Sequence, residues 1–310
     1  MSRSRRQRAG GHTNRTKTKS LIPYIGGKYR LVPKIVPIVE HAAKTYGLTA
    51  CREWFGGGGR IQLNIPPDLF KDERWYNDKE LGLAQLMAVV GDPVAVYELQ
   101  SILLERGVGE DVFLRALEEK GIDDKGVSLV NGAANTFILA TQSYAAAMKS
   151  FDPSLDWDLD RVDSYYSRVD ALESIQEALE GVVVTQGDCL ELLEKSKHDE
   201  HALVYLDPPY APETMRTQGH YGDHSWGILE HKVLAYLLEE TAMKVILSGY
   251  DTLHYRPLEE AGWDKIHLGE VAVSSSGASR VRANEYLWIN FDIPEALLNK
   301  VSAPEPPIPW

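Results

Sequence analysis

Between residues 20 and 296, short apolar runs rich in β-branched and aromatic side chains alternate with stretches whose apolar residues recur every three or four positions. The short runs predict strands at 49–55, 74–77, 182–185, 203–206, 245–248 and 286–291. The longer period predicts helices at 33–46, 79–90, 229–241 and 257–261. Such alternation favours an α/β fold, a mostly parallel sheet with helices on both faces. Residues 91–180 break the pattern, with helical periodicity at 94–104, 110–119, 131–149 and 160–180 and no convincing strand. They read as a helical insertion dividing one discontinuous domain into 20–90 and 181–296. Residues 1–19 have no apolar periodicity and read as a disordered tail. Pro304, Pro306, Pro307 and Pro309 mark 297–310 as an extended, proline-rich tail.

Composition narrows the class of protein. Of the 310 residues 44% are hydrophobic, enough for a full core, and 25% are charged. No apolar run approaches the ~18 residues of a membrane span, so no membrane association is expected. The two cysteines, Cys51 and Cys189, lie far apart without metal-ligand spacing, so neither a disulfide framework nor a zinc site is expected. The expectation is a protein of a reducing cytoplasm. The formal net charge is −12, against a uniformly basic nucleic-acid binder. The tail nevertheless carries Arg3, Arg5, Arg6, Arg8, Arg15, Lys17 and Lys19 and no acid. It is either a solvated leader or a phosphate-binding arm.

Two segments carry chemistry. Glu53-Trp54-Phe55 runs into Gly56-Gly57-Gly58-Gly59 at the end of the first expected strand. Glycines there let the backbone approach a ligand closely, although a plain flexible loop looks the same. Asn77-Asp78, about twenty residues on, tips the balance, because an acid at that spacing suits a ribose. Arg60 and Ile61 follow Gly59, so the GxGxxG dinucleotide pattern is not met, and another adenosine-containing ligand remains open. The second segment, Asp207-Pro208-Pro209-Tyr210, follows the apolar run 203–206. Two prolines fix a rigid turn that holds a carboxylate, backbone carbonyls and a flat ring together. An aromatic amino group is a poor nucleophile. Acceptors for its two hydrogens orient the nitrogen and stabilise it as it becomes tetrahedral. Tyr210 offers a face for stacking a base rotated out of a duplex. The bland alternative is a proline-rich turn with an exposed aspartate.

At these residues the sequence resembles the Dam-like, D12 class DNA adenine methyltransferases, over about residues 21–292. The resemblance runs through Tyr24-Ile25-Gly26-Gly27-Lys28, the Phe-x-Gly-x-Gly turn at 55–59, Asp207-Pro208-Pro209-Tyr210 and later strand-like segments at 245–250 and 282–290. It implies a Rossmann-like methyltransferase sheet and S-adenosylmethionine as cofactor. The activity implied is site-specific methylation of the N6 amino group of a flipped-out adenine in double-stranded DNA. Asp207, Pro208, Pro209 and Tyr210 take the catalytic positions, with no metal. Tyr24, Gly27, Lys28, Phe55, Gly57, Gly59, Asp78 and Asp188 take cofactor positions: Tyr24 and Lys28 near the cofactor's amino-acid end and the target pocket, Asp78 at its ribose, Asp188 at its adenine. Cytosine-N4 or RNA adenine methylation, or a silent DNA-binding module, are the rival readings. The aspartate at 207 favours adenine by resemblance.

The chain departs from the family in its four consecutive glycines and in its acidic body. Residues 91–180 carry no recognisable target-recognition signature; they are the expected target-recognition region by position only. Neither a recognition sequence nor a restriction–modification, solitary or mobile-element setting is specified. His220, Tyr221, His224 and Trp226 suggest a mobile loop over a base rather than a metal site. Residues 274–282 suggest either a phosphate contact or an ordinary hairpin connection. The run 145–148 reads as helix packing.

Overall fold

In the computed structural model the described residues are 19–24, 28–120, 128–211, 226–272 and 282–302. The strands are β1 (Ala50–Trp54), β2 (Glu73–Asp78), β3 (Val182–Gln186), β4 (Ala202–Leu206), β5 (Lys244–Tyr250), β6 (Asp264–Ala272) and β7 (Arg282–Ile289). They form one sheet in the order β3-β2-β1-β4-β5-β7-β6. β7 runs antiparallel between β5 and β6, and the other neighbours are parallel. The helices are α1 (Val32–Tyr46), α2 (Leu81–Gly91), α3 (Ala95–Arg106), α4 (Glu110–Glu118), α5 (Leu129–Gln142), α6 (Leu159–Asp170), α7 (Leu172–Leu179), α8 (Cys189–Ser196), α9 (Ile228–Glu239), α10 (Arg256–Glu260) and α11 (Glu295–Ser302).

Every residue of β1 and β4 is buried, as strands covered on both faces must be. Alternate residues divide between two cores. Leu203 and Tyr205 face α1 with Ile35, Ile38 and Val39, while Ala202, Val204 and Leu206 pack under α8 and α9 with Leu193, Leu234 and Leu238. The described residues of 91–180 are mostly helical, with turns and an isolated bridge between the helices, and they do not stand apart. Leu99, Phe113, Phe137, Tyr165 and Leu172 share a third core with Tyr76 of β2 and Leu86 of α2. Truncating a buried aromatic such as Phe137 to alanine costs roughly 3–5 kcal/mol.

Several boundaries differ from expectation. The pattern 131–149 stops as a helix at Gln142. The pattern 160–180 is two helices, α6 and α7, meeting at Ala171. β6 escapes the pattern because Gly269, at φ 112°, bulges the strand and only Ile266 and Leu268 alternate inward. Residues 297–302, expected in the proline-rich tail, belong to α11, which buries Val301. Lys19, expected in the disordered leader, is held to Asn64 and to the Ser174 carbonyl. Among the described residues no single helix is long and apolar enough to cross a membrane.

Candidate active site

The sheet order reverses between β1 and β4, and in such sheets the crevice beyond the carboxyl ends of those strands receives the ligand. Trp54 is paired with Leu206 in the parallel register, so Phe55 and Asp207 emerge side by side at that crevice. The chain turns sharply there. Phe55 itself takes a left-handed backbone, φ 61°, followed by Gly57 at φ 49°. A β-carbon on Gly56 would lie 2.0 Å from the Tyr76 ring, so no other residue fits. Gly57 donates its N–H to Asp78 at 2.8 Å, and its carbonyl accepts from the Tyr76 hydroxyl at 2.9 Å. Glu53, buried at the end of β1, fastens the far side of the turn by accepting from the N–H groups of Ile61 and Gln62 at 3.0 and 2.8 Å. Burial pushes its carboxyl up to about 7 despite those two donors.

These groups open onto a cavity of about 390 Å³, within the range of small-molecule sites. Tyr24, Lys28, Phe55, Gly57, Asp78, Asp188, Asp207, Pro208, Pro209 and Tyr210 all line it, so residues spread over 187 positions of sequence form one site. Gly59 does not line it; its backbone is left-handed, at φ 62°, and a β-carbon there would meet the tip of Met87 at 2.4 Å. Gly27 lies outside the described residues.

One end of the cavity is acidic. Asp78 accepts from the Gly57 and Glu80 amides, each at 2.8 Å. Asp188 caps α8 through the Leu190 N–H at 2.9 Å and pairs with Lys79 at 2.9 Å. Burial opposes its charge, but Lys79 and the amides at the start of α8 hold its carboxyl below the usual range.

At the other end, Asp207 meets a polar network that sequence reasoning missed. Lys28 Nζ lies 2.9 Å from Asp207 Oδ1, 3.1 Å from Glu285 Oε1 and 2.7 Å from the Tyr210 hydroxyl. Glu285, fully buried on β7, also accepts from Ser248 at 2.9 Å and from Tyr210 at 3.3 Å. Burial alone would lower the Lys28 ammonium, but Asp207 and Glu285 hold it well above its ordinary value. Burial pushes Asp207 up to about 6; Lys28 opposes this and Glu285 adds to it. An acid facing inward in a hydrophobic strand, as in Ala283-Asn284-Glu285-Tyr286-Leu287, was the available signal. Tyr210 stacks on Tyr250 at 3.7 Å with a 4° interplanar angle, so one face of its ring is already covered.

Two further segments enclose the cavity. Trp226 is buried edge-to-face on Phe55, centroids 4.7 Å apart. His220, Tyr221 and His224, and the stretch 274–281, lie outside the described residues. Residues 145–148, expected to be helix packing, are instead part of a loop. Tyr144 N–H bonds to the Ser150 carbonyl at 3.0 Å, and Ser143 bridges Phe151. Ala145, Ala146 and Met148 all have positive φ, and Ala146, Ala147, Met148 and Lys149 line the cavity.

The fold is thus an α/β sheet whose switch-point cavity is lined by strand-end acids and by the carboxylate–proline turn at 207–210. The chain matches the family model of the D12 class N6 adenine-specific DNA methyltransferases over residues 24–268, and it belongs to that family. It is therefore an enzyme that methylates the N6 amino group of adenine in DNA, and its sheet has the class I methyltransferase order. No match was found among curated proteins.

Proposed function

We propose that the cavity binds S-adenosylmethionine along the carboxyl ends of β1, β2 and β3, and that Asp207 to Tyr210 receive an adenine rotated out of double-stranded DNA. The observation that carries this reading is the convergence of the glycine turn, the strand-end acids and Asp207 on one cavity. The residues suit such a donor: Gly56 and Gly57 form a cradle that side chains would fill, and Asp78 and Asp188 offer carboxylates to a ribose and an adenine amino group. Phe55 and Trp226 supply flat apolar walls.

When bound, S-adenosylmethionine supplies a methyl group on a sulfonium, which is already a good leaving group. Asp207 and the Pro208 carbonyl accept the two hydrogens of the adenine amino group and stabilise the nitrogen as it becomes tetrahedral. Asp207, with its pKa raised to about 6, takes the proton that the nitrogen loses. Lys28 and Glu285 are positioning residues that hold Asp207 and the Tyr210 hydroxyl. Tyr210, backed by the stacked Tyr250 ring, supplies the flat surface against which the base stacks. Pro208 and Pro209 keep the turn rigid and free of competing N–H donors. Residues 91–180 carry target recognition, and the reaction belongs to the cytoplasm, consistent with two buried free cysteines.

The test uses duplex DNA lacking methylation and a donor with a labelled methyl group. The native chain should place label in N6-methyladenine, with duplex preferred to single strands. Asp207→Ala should lower transfer by about a hundredfold or more while donor binding is largely kept. Parallel loss of both would show that Asp207 serves the donor and not the amino group.

A further inference from the structure

Arg60 follows the four glycines, and its side chain is only 7% exposed. Its Nη2 donates to the Ile22 carbonyl at 3.3 Å. Nε and Nη1 are buried without a hydrogen-bond partner among the described residues, and no acid forms an ion pair with the guanidinium there. A buried cation in that condition is costly unless something else completes it. The Tyr29 ring, 5.4 Å away, covers the guanidinium without using an N–H. Burial and the neighbouring positive charge of Arg168 lower Arg60 to about 10, only partly offset by Glu53 and Tyr29. Glu53 is occupied by the Ile61 and Gln62 amides. Gly58 makes room for the group: a β-carbon there would stand 3.3 Å from Arg60 Nε.

Arg60 lines the same cavity as Gly57, Asp78 and Asp207. Its other cations are engaged. Lys28 is held by Asp207 and Glu285, Lys79 by Asp188, Lys120 by Glu80, and Lys149 has an interaction of its own. The acids of the cavity suit the sulfonium, ammonium and hydroxyl groups of a methyl donor, but its carboxylate needs a cationic partner. We infer that Arg60 is the anchor for the α-carboxylate of S-adenosylmethionine, gripping it through a fork that pairs an unpartnered Nε or Nη1 hydrogen with the second Nη2 hydrogen, the one not given to Ile22. A guanidinium fork matches a carboxylate in shape as well as charge. A backbone phosphate of a duplex is the weaker candidate, because the group is buried inside a cavity sized for a small molecule. The inference rests on the donor reading given above.

Calorimetric titration of the native chain with S-adenosylmethionine and with its decarboxylated analogue separates the two ideas. The native chain should bind the complete donor roughly 10- to 100-fold more tightly, the range for hydrogen bonds to a charged group. In Arg60→Gln that preference should collapse, with affinity for the decarboxylated analogue little changed. If the native chain binds neither compound, the donor reading itself fails. If it binds both equally, the carboxylate is not held and the inference is overturned, even should the variant not fold. A preference that survives undiminished in Arg60→Gln would assign the carboxylate to another group. Unchanged donor binding with weakened duplex binding would assign Arg60 to phosphate.

Discussion

Lys28 meets Asp207, Glu285 and the Tyr210 hydroxyl at once, each within 3.1 Å of its ammonium. Those partners keep a charge buried at the reaction centre, beside an Asp207 whose carboxyl is raised to about 6. The direction of the pH effect follows. Above about 6 Asp207 is ionised and accepts an amino hydrogen; as the pH falls through that value it protonates and the acceptor is lost. The kcat/KM for DNA, which reports the free enzyme, should fall on the acid side with a midpoint near 6. Glu285 contributes to raising Asp207, so Glu285→Gln should move the acid limb to lower pH while also reducing the rate. A limb that stays in place would remove Glu285 from the electrostatics of the site. The Asp-Pro-Pro-Tyr string is visible in the sequence, but the Lys28–Glu285 pair is not, because 257 positions separate partners that meet only when β7 inserts beside β5.

Among the elements, the loop closed by Ser143 and Phe151 contributes most to the cavity that the sequence did not reveal. Alanines favour helix, and the run 145–148 extends a helical pattern. The bridge to Phe151 and the bond from Tyr144 to Ser150 override that propensity. Left-handed backbone costs an L-residue roughly 1–2 kcal/mol, so Ala145, Ala146 and Met148 are held there by the surrounding packing. Strain of this kind gathers at ligand-binding segments. Ala147 lines the cavity with an ordinary backbone, φ −80°, so a larger side chain is accommodated by the chain but not by a ligand. Ala147→Leu should therefore weaken donor binding by about tenfold, from an overpacking cost of roughly 1–3 kcal/mol, with little change in melting temperature. Unaltered affinity would place the donor away from this loop. The missed helix α8 has a related cause: Asp188 carries both the resemblance to a cofactor acid and the N-cap, and the sequence pattern shows one acid without showing that it does both.

At the scale of the whole molecule, charge is distributed against the substrate. A chain of net charge −12 acts on a polyanion, and its N-terminal eighteen residues hold Arg3, Arg5, Arg6, Arg8, Arg15 and Lys17. Each cation that neutralises a phosphate adds about 0.9 to the slope of log affinity against log salt. Deleting residues 1–18, which leaves Lys19 and its bonds to Asn64 and Ser174, should flatten that slope by up to about 5 and weaken binding most at low salt. The same slope with and without the segment would make it a passive leader.

The strand-and-helix alternation already specified a parallel α/β sheet. Short runs rich in β-branched and aromatic residues favour strands buried on both faces, and glycine after Phe55 and proline after Asp207 end two of them in turns. The sequence also marked Phe55–Gly57, Asp78 and Asp207–Tyr210, because their chemistry is compressed into short local strings. Tertiary structure alone decided that β1 and β4 are neighbours, which brings Phe55 beside Asp207. It likewise placed Glu285 under Lys28, folded 143–151 over the cavity, and left Arg60 buried without a hydrogen-bond partner for two of its nitrogens. Local strings record what each turn of backbone requires. Pairing across the sheet depends on distant burial, to which no single stretch of the chain gives access.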